Sequence, residues 1–216
     1  MRKLTILSAA HFCVDMCCAA LFFGWLSREA NSWLYMVLYN ACAFLMQLPM
    51  GLIADKLNRN MLFSAAGCVL VAAGFLLKAH PVMALVVAGF GNGAFHVGGG
   101  IEVLNRSQEK AGPLGVFVSP GAIGLYLGQV YAAFFHQSFV IVPALMLICA
   151  GAILLTGRKE FSTGSGNEPL SLEMPRGGAL LLAFLFIGFA QNLNPRNLSH
   201  SLPLVSKFLS KHLRSF

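Results

Sequence analysis

Residues 30–54 read ANSWLYMVLYNACAFLMQLPMGLIA, a run of 25 residues without a charged side chain. The residues that follow, 55–60, read DKLNRN and carry three charges within five positions. An α-helix needs about 20 apolar residues to cross the hydrocarbon core of a bilayer. The stretch therefore predicts a membrane-spanning helix that ends in a charged turn.

The rest of the chain repeats this pattern. Charge-free runs of 23 and 47 residues lie at 79–101 and 111–157, and 57% of the 216 residues are hydrophobic. A water-soluble domain of this length has too small an interior for so much apolar surface. We predict an all-α membrane protein with six spans and a seventh after a polar linker. The predicted spans are Leu4–Leu26, Trp33–Ala54, Met61–Leu77, Val82–Leu104, Pro113–Phe135, Phe139–Thr156 and Gly177–Leu193.

The distribution of basic residues predicts the orientation of these spans. With a cytoplasmic N-terminus, the inner segments hold nine Lys and Arg residues, whereas the outer loops between the first six spans hold only Arg28 and Lys78. Basic residues concentrate on the cytoplasmic side of membrane proteins. We therefore expect a multi-pass protein of the inner or plasma membrane with its N-terminus cytoplasmic. The net charge of +7 then reflects orientation in the lipid bilayer, and no nucleic-acid partner is expected.

Several polar residues fall inside the predicted spans. His11 and Asp15 are four residues apart on the first span, and a charged carboxylate at mid-depth costs about 2.5–3.5 kcal/mol on insertion scales. His96 lies in a glycine-rich part of the fourth span, and Asn40 and Gln47 lie two turns apart on the second. A histidine beside an aspartate can exchange a proton near neutral pH. We predict that these five residues form a proton and substrate site; the alternative is a structural polar contact between helices.

Glu102 and Arg106 are four residues apart at the end of the fourth span and are predicted to be charge partners, although Arg106 could instead reach Asp55. All six cysteines fall inside apolar spans without a C-x-x-C pair, which favours packing over metal binding. The sequence contains no phosphate-binding loop, nucleophile elbow or H-E-x-x-H motif. We therefore predict no catalytic residue, no cofactor and no bound metal.

The turn GLIADKLNRN at 51–60 resembles the loop signature of the major facilitator superfamily, G-x-x-x-D-[RK]-x-G-R-[RK], which joins the second and third helices. The matching residues are Gly51, Asp55, Lys56 and Arg59. Asn58 and Asn60 stand where the signature has a glycine and a basic residue, and Asn58 is suited to a left-handed turn. The resemblance implies that this turn latches the two halves of a transporter in one state and releases them in the other.

Three further stretches, HFCVDM, GAFHVGGG and GVFVSPGAIGLYLGQ, resemble the fosmidomycin-resistance exporter branch of that superfamily, over most of residues 8–135. Val97 and Gln129 replace prolines of the branch. The resemblance implies a six-helix transporter half-bundle made of 3+3 inverted repeats, residues 1–79 and 80–156. It also implies a secondary active antiporter rather than an enzyme, in which protons drive efflux of a small molecule or drug by alternating access.

The resemblance also implies a domain organisation. Residues 1–156 are the six-helix N-terminal half, 157–176 a cytoplasmic linker, 177–193 the first helix of an incomplete second half, and 194–216 a basic tail. We expect either a truncated or frame-shifted chain, or a half-size transporter that pairs with a second copy or a complementary half. Such pairing is expected because the side of the first span that carries His11 and Asp15, its polar stripe, would otherwise face lipid.

Two alternatives to a transporter stay open at this point. One is an intramembrane zinc hydrolase with His11, Asp15 and His96 as ligands, since two imidazoles and a carboxylate form a suitable zinc set. The other is an inactive transporter fragment that folds without transporting.

Overall fold

The computed structural model describes residues 1–29, 32–107, 110–134, 141–159 and 163–167. Residues 1–172 belong to one compact unit. The predicted seventh helix at 177–193 and the basic tail at 194–216 lie outside the described residues. Within the described ranges every regular element is helical.

Six helices make up the described part of the chain, and all six were predicted from the apolar runs, with ends that differ by three residues at most. They are α1 (Arg2–Gly24), α2 (Ser32–Leu57), α3 (Asn60–Leu76), α4 (Pro81–Arg106), α5 (Ala111–Phe134) and α6 (Ile141–Gly157). By length and apolar composition, α1, α2, α4 and α5 are able to cross a membrane, whereas α3 and α6 are apolar but shorter, at 17 residues each.

The boundaries of the helices follow from local chemistry. α4 begins with Pro81, whose fixed φ and missing N–H suit the first turn of a helix. α2 contains a π-helical turn at Ala41–Leu45 and ends at Asn58, which adopts a left-handed conformation with φ 51°. The Asn58 N–H donates to the Ala54 carbonyl at 2.8 Å, which closes the last turn. Asparagine tolerates this conformation better than most residues, as the sequence predicts.

The helices pack in a regular set of pairs. α1 packs against α5 and α4 packs against α2, while α3 lies against both α4 and α6, and α1 also contacts α6 and α4. About two thirds of the spanning window of α1 and of α4 is buried, against 22% for α2 and for α5. α1 and α4 are therefore central, and α2 and α5 present apolar faces to the surroundings.

Glycines permit the closest of these contacts. A Cβ added at Gly124 or Gly128 of α5 would lie well under 3.0 Å from the backbone carbonyl oxygens of Phe12 and Met16 on α1. Small residues let helix backbones approach in this way inside a membrane. The spaced glycines of α5 therefore fix the position of α1, which carries the first two predicted site residues.

Candidate functional site

His11, Asp15 and His96 meet in the interior of the bundle and are called the triad below. His11 and Asp15 lie one turn apart on α1, and the Nε2 atom of His11 is 3.2 Å from Oδ2 of Asp15. The Nε2 atom of His96, on α4, is 3.7 Å from the other carboxylate oxygen, Oδ1. The contact between α1 and α4 therefore brings both imidazoles to one carboxylate.

Backbone carbonyls fix the orientation of both imidazoles. The Nδ1 atom of His11 lies 2.8 Å from the carbonyl oxygen of Phe117 on α5, and Nδ1 of His96 lies 2.9 Å from the carbonyl oxygen of Asn92. A carbonyl oxygen can only accept, so each Nδ1 must carry a hydrogen and donate it. In both neutral rings Nε2 is then the unprotonated nitrogen, and both Nε2 atoms face Asp15.

Asn92 is a fourth member of this polar cluster that the sequence reasoning missed. Its Nδ2 atom donates to Oδ1 of Asp15 at 3.2 Å and lies 3.6 Å from Sγ of Cys18. The spacing was the available signal, because Asn92 precedes His96 by one helical turn and so shares its face. Asn92 is 3% exposed, and within the described residues its Oδ1 atom is buried without a hydrogen-bond partner.

Aromatic rings and a glycine enclose the triad. The rings of His11 and His96 lie edge to face with centroids 4.4 Å apart, and the Phe117 ring lies 4.6 Å from that of His11. Gly121 of α5 lies against His11 and Asp15. An added Cβ at this position would come well under 3.0 Å from the carboxylate of Asp15 and from the His11 ring. The carboxylate fits against α5 because position 121 lacks a side chain.

One expectation about this cluster is wrong. The sequence suggested that the polar stripe of α1 would face lipid unless a second chain covered it. In the structure His11 is 2% exposed and Asp15 is 7% exposed, because α4 and α5 of the same chain cover them. Burial of His11 and Asp15 therefore needs no partner, and association of the chain with a second copy or a complementary half stays a prediction.

The other predicted site residues on α2 lie elsewhere. The Nε2 atom of Gln47 donates to the carbonyl oxygen of Ala43 at 2.9 Å, one turn back on its own helix. Asn40 immediately precedes the π-helical turn of α2, and its Oδ1 atom is buried without a partner among the described residues. In the described part of the chain no hydrogen bond joins either residue to the triad.

A second charged cluster lies where the start of α1 meets the end of α4. Glu102 is 1% exposed, and its Oε1 atom accepts from Nζ of Lys3 at 2.8 Å and from Nε of Arg106. The Lys3 contact was missed, since the two residues are 99 positions apart. This ion pair joins the N-terminus of α1 to α4.

The residues of the predicted latch lie at the end of α2 and in the turn after it. Gly51 is on α2, where an added Cβ would meet nothing within 4 Å, so close helix approach does not explain this glycine. Asp55 and Lys56 are on the last turn of α2, and Arg59 is between α2 and α3. That this turn acts as a latch stays a prediction.

Comparison with known proteins adds no relative. No protein-family model matches the chain, no curated protein is significantly similar to it, and no solved structure matches its fold. The residues that the structure describes form an all-helical fold in which four helices are long and apolar enough to span a membrane.

Proposed function

We propose that the chain is a secondary active membrane transporter, or half of one, in which the triad carries the coupling proton. The observation behind the proposal is the pair of imidazoles held by backbone carbonyls with both Nε2 atoms facing one buried carboxylate. An unprotonated Nε2 and an ionised carboxylate are both acceptors, so they repel unless a proton lies between them. The His11–Asp15 contact therefore holds a proton at the distance observed.

The charge of the triad changes with the number of protons that it holds. One proton shared between His11 and Asp15 leaves the cluster neutral overall, which suits its apolar surroundings. Loss of that proton leaves a bare carboxylate inside the membrane, where charge costs about 2.5–3.5 kcal/mol on insertion scales. Release is then favourable only when the triad is open to water, and this couples protonation to a change of conformation.

The pairing of the helices supports the 3+3 repeat as part of this proposal. If α1, α2 and α3 are matched in order with α4, α5 and α6, each contact in one group should have a counterpart in the other. The α1–α5 contact then corresponds to the α4–α2 contact, and the α3–α4 contact corresponds to the α6–α1 contact. The α1–α4 and α3–α6 contacts map onto themselves. Transporter folds built from inverted repeats place their sites between the repeats. The triad lies between α1 and α4, which are the corresponding helices.

The proposed cargo is a small molecule exported by alternating access, and the probe is fosmidomycin, because the motif resemblance is to exporters of that compound. Expression of the chain in an efflux-deficient, fosmidomycin-sensitive bacterium should raise the inhibitory concentration. His96→Gln should abolish the effect at equal abundance in the membrane. The matched control is His80→Gln, since His80 is exposed just before α4. Unchanged sensitivity on expression of the wild-type chain would reject this proposal.

A zinc hydrolase is the second candidate, and one observation favours it. Each triad residue offers a ligand atom, and these three atoms lie within 4.8 Å of one another. Ligands of a tetrahedral zinc ion at about 2.0–2.1 Å lie roughly 3.3 Å apart. The Nε2 atom of His11 lies 3.2 Å from Oδ2 of Asp15 and that of His96 lies 3.7 Å from Oδ1, so the two imidazoles face different oxygens of the carboxylate. Metal-binding histidines commonly donate their second N–H to a carbonyl, as both do here. One tightly bound zinc per purified chain, lost in His96→Gln but kept in His80→Gln, would favour this candidate over the first.

A further inference from the structure

Residues 163–167, with the sequence TGSGN, return from the end of α6 to the turn between α2 and α3. Gly164 and Gly166 have φ values of 73° and 74°, a conformation that side-chain-bearing residues rarely adopt. These two glycines turn the backbone so that the residues between and after them face the turn. We call residues 163–167 the strap.

Asn58 is the main receptor for the strap. Its Oδ1 atom accepts from the backbone N–H groups of Ser165 and of Asn167, both at 3.0 Å. The Ser165 N–H also lies 2.9 Å from the carbonyl oxygen of Asn58. The left-handed conformation of Asn58 leaves both of its oxygens directed at the strap. One residue therefore pairs two backbone donors of the strap.

Asn60 and Asn105 complete the receptor. The backbone N–H of Asn60 donates to Oγ of Ser165 at 2.8 Å, and the side chains of Asn60 and Asn167 exchange two hydrogen bonds of 2.7 and 2.9 Å. Asn105, near the end of α4, donates to Oδ1 of Asn167 at 2.8 Å. The strap thus contacts the turn after α2 and the end of α4 together.

The receptor residues explain two departures from the superfamily signature. Asn58 occupies the position of the signature glycine, and Asn60 occupies that of the last basic residue. Glycine at 58 could adopt the same backbone conformation but has no side-chain oxygen to accept from the Asn167 N–H, and a basic side chain at 60 could not accept from Asn167. Both departures therefore supply groups that the strap uses.

We propose that the strap is an intramolecular clamp on the α2–α3 turn, and that its release limits the movement of this turn during transport. The effect of strap release on transport rests on the proposed function, whereas the binding of the strap to the turn does not. The strap fixes the turn in the described conformation, because the turn can only move relative to α4 if the bonds through Asn167 break.

Two substitutions at one position test the clamp without disturbing the turn. Asn58→Gly keeps the left-handed backbone and removes the side-chain acceptor Oδ1, whereas Asn58→Asp keeps a side-chain acceptor. Amide hydrogen exchange is measured on the full chain in lipid nanodiscs. We expect the amide of Asn167, which donates to Oδ1, to exchange about tenfold faster in Asn58→Gly and at the wild-type rate in Asn58→Asp. The amide of Ser165 should change less, because it keeps the backbone carbonyl oxygen of residue 58 as an acceptor. Equal exchange in all three proteins would overturn the clamp.

Transport by the same three proteins tests whether release of the strap limits transport. Asn58→Gly should export fosmidomycin faster than wild type from reconstituted vesicles, and Asn58→Asp should match wild type. Faster strap exchange with unchanged export would overturn the control of transport by the strap. Absence of export by every protein, together with the expected exchange pattern, would reject the proposed function while supporting the clamp on the turn.

Discussion

The contact between α1 and α5 makes a quantitative prediction about two glycines on one helix. Gly124 faces α1, and a Cβ there would collide with the backbone carbonyl of Phe12. Gly115, about two and a half turns closer to the start of α5 at about 3.6 residues per turn, has nothing within 4 Å of the Cβ position. Backbone atoms have no rotamer that could relieve the collision, so in Gly124→Ala the two helices must separate.

The magnitude follows from comparing the two variants. Replacing glycine by alanine inside a helix favours the helix by roughly 0.5–1 kcal/mol, and this gain is shared by both substitutions. Overpacking a close contact costs about 1–3 kcal/mol, and only Gly124→Ala incurs it. We therefore expect Gly124→Ala to be about 1–3 kcal/mol less stable than Gly115→Ala, toward the upper end because the colliding atoms are main chain.

Equilibrium unfolding in mixed micelles of a mild detergent and SDS, followed by far-ultraviolet circular dichroism, measures this difference. Gly115→Ala should unfold at or slightly above the wild-type SDS fraction, and Gly124→Ala clearly below it. If both variants unfold at the same SDS fraction, the close approach of α1 and α5 is wrong, and with it the placement of His11 against α5.

Three other predictions concern charged and titratable groups. Glu102→Gln should destabilise the chain by roughly 1–3 kcal/mol in the same assay, since it removes the buried partner of two cations; the exposed Glu29→Gln should be neutral, and equal effects would contradict the ion pair. Asp55→Asn should impair export while the protein keeps its normal abundance in the membrane, as expected if the turn acts as a state-dependent latch. Export at the wild-type rate would mean that the motif serves only to set the orientation of the chain. In ¹⁵N NMR spectra, His11 and His96 should each show a protonated Nδ1, because each Nδ1 contacts a backbone carbonyl oxygen. A protonated Nε2 beside a bare Nδ1 would refute the carbonyl contacts.

The sequence predicted the helices well because each corresponds to a mostly apolar run of nearly the length that a membrane span requires. It also predicted that His11 and Asp15 meet, because residues four apart share a helix face. It missed Asn92, although the spacing of four residues places Asn92 on the same face of α4 as His96. The spacing alone does not show that this face meets Asp15, because the rotation of α4 against α1 is set by packing between residues that are distant in the sequence.

The strap lay beyond sequence reasoning for a different reason. Its hydrogen bonds join residues that are far apart in the sequence, by 62 positions for Asn105 and Asn167 and by 105 for Asn60 and Ser165. They also pair asparagine and serine side chains with main-chain groups, which these residues can do in almost any loop. The segment TGSGN reads as an ordinary flexible linker. The one available indication was the presence of Asn58 and Asn60 where the signature has other residues.

The most direct test of the account is proton movement through vesicles that contain the purified chain. Vesicles with an imposed pH gradient and an internal pH-sensitive dye receive fosmidomycin, and the rate at which the gradient collapses is recorded. The account predicts a fosmidomycin-dependent collapse with the wild-type chain, and none with Asp15→Asn, which should still exchange fosmidomycin without a gradient. Collapse at the wild-type rate in Asp15→Asn would contradict the claim that the triad carries the coupling proton.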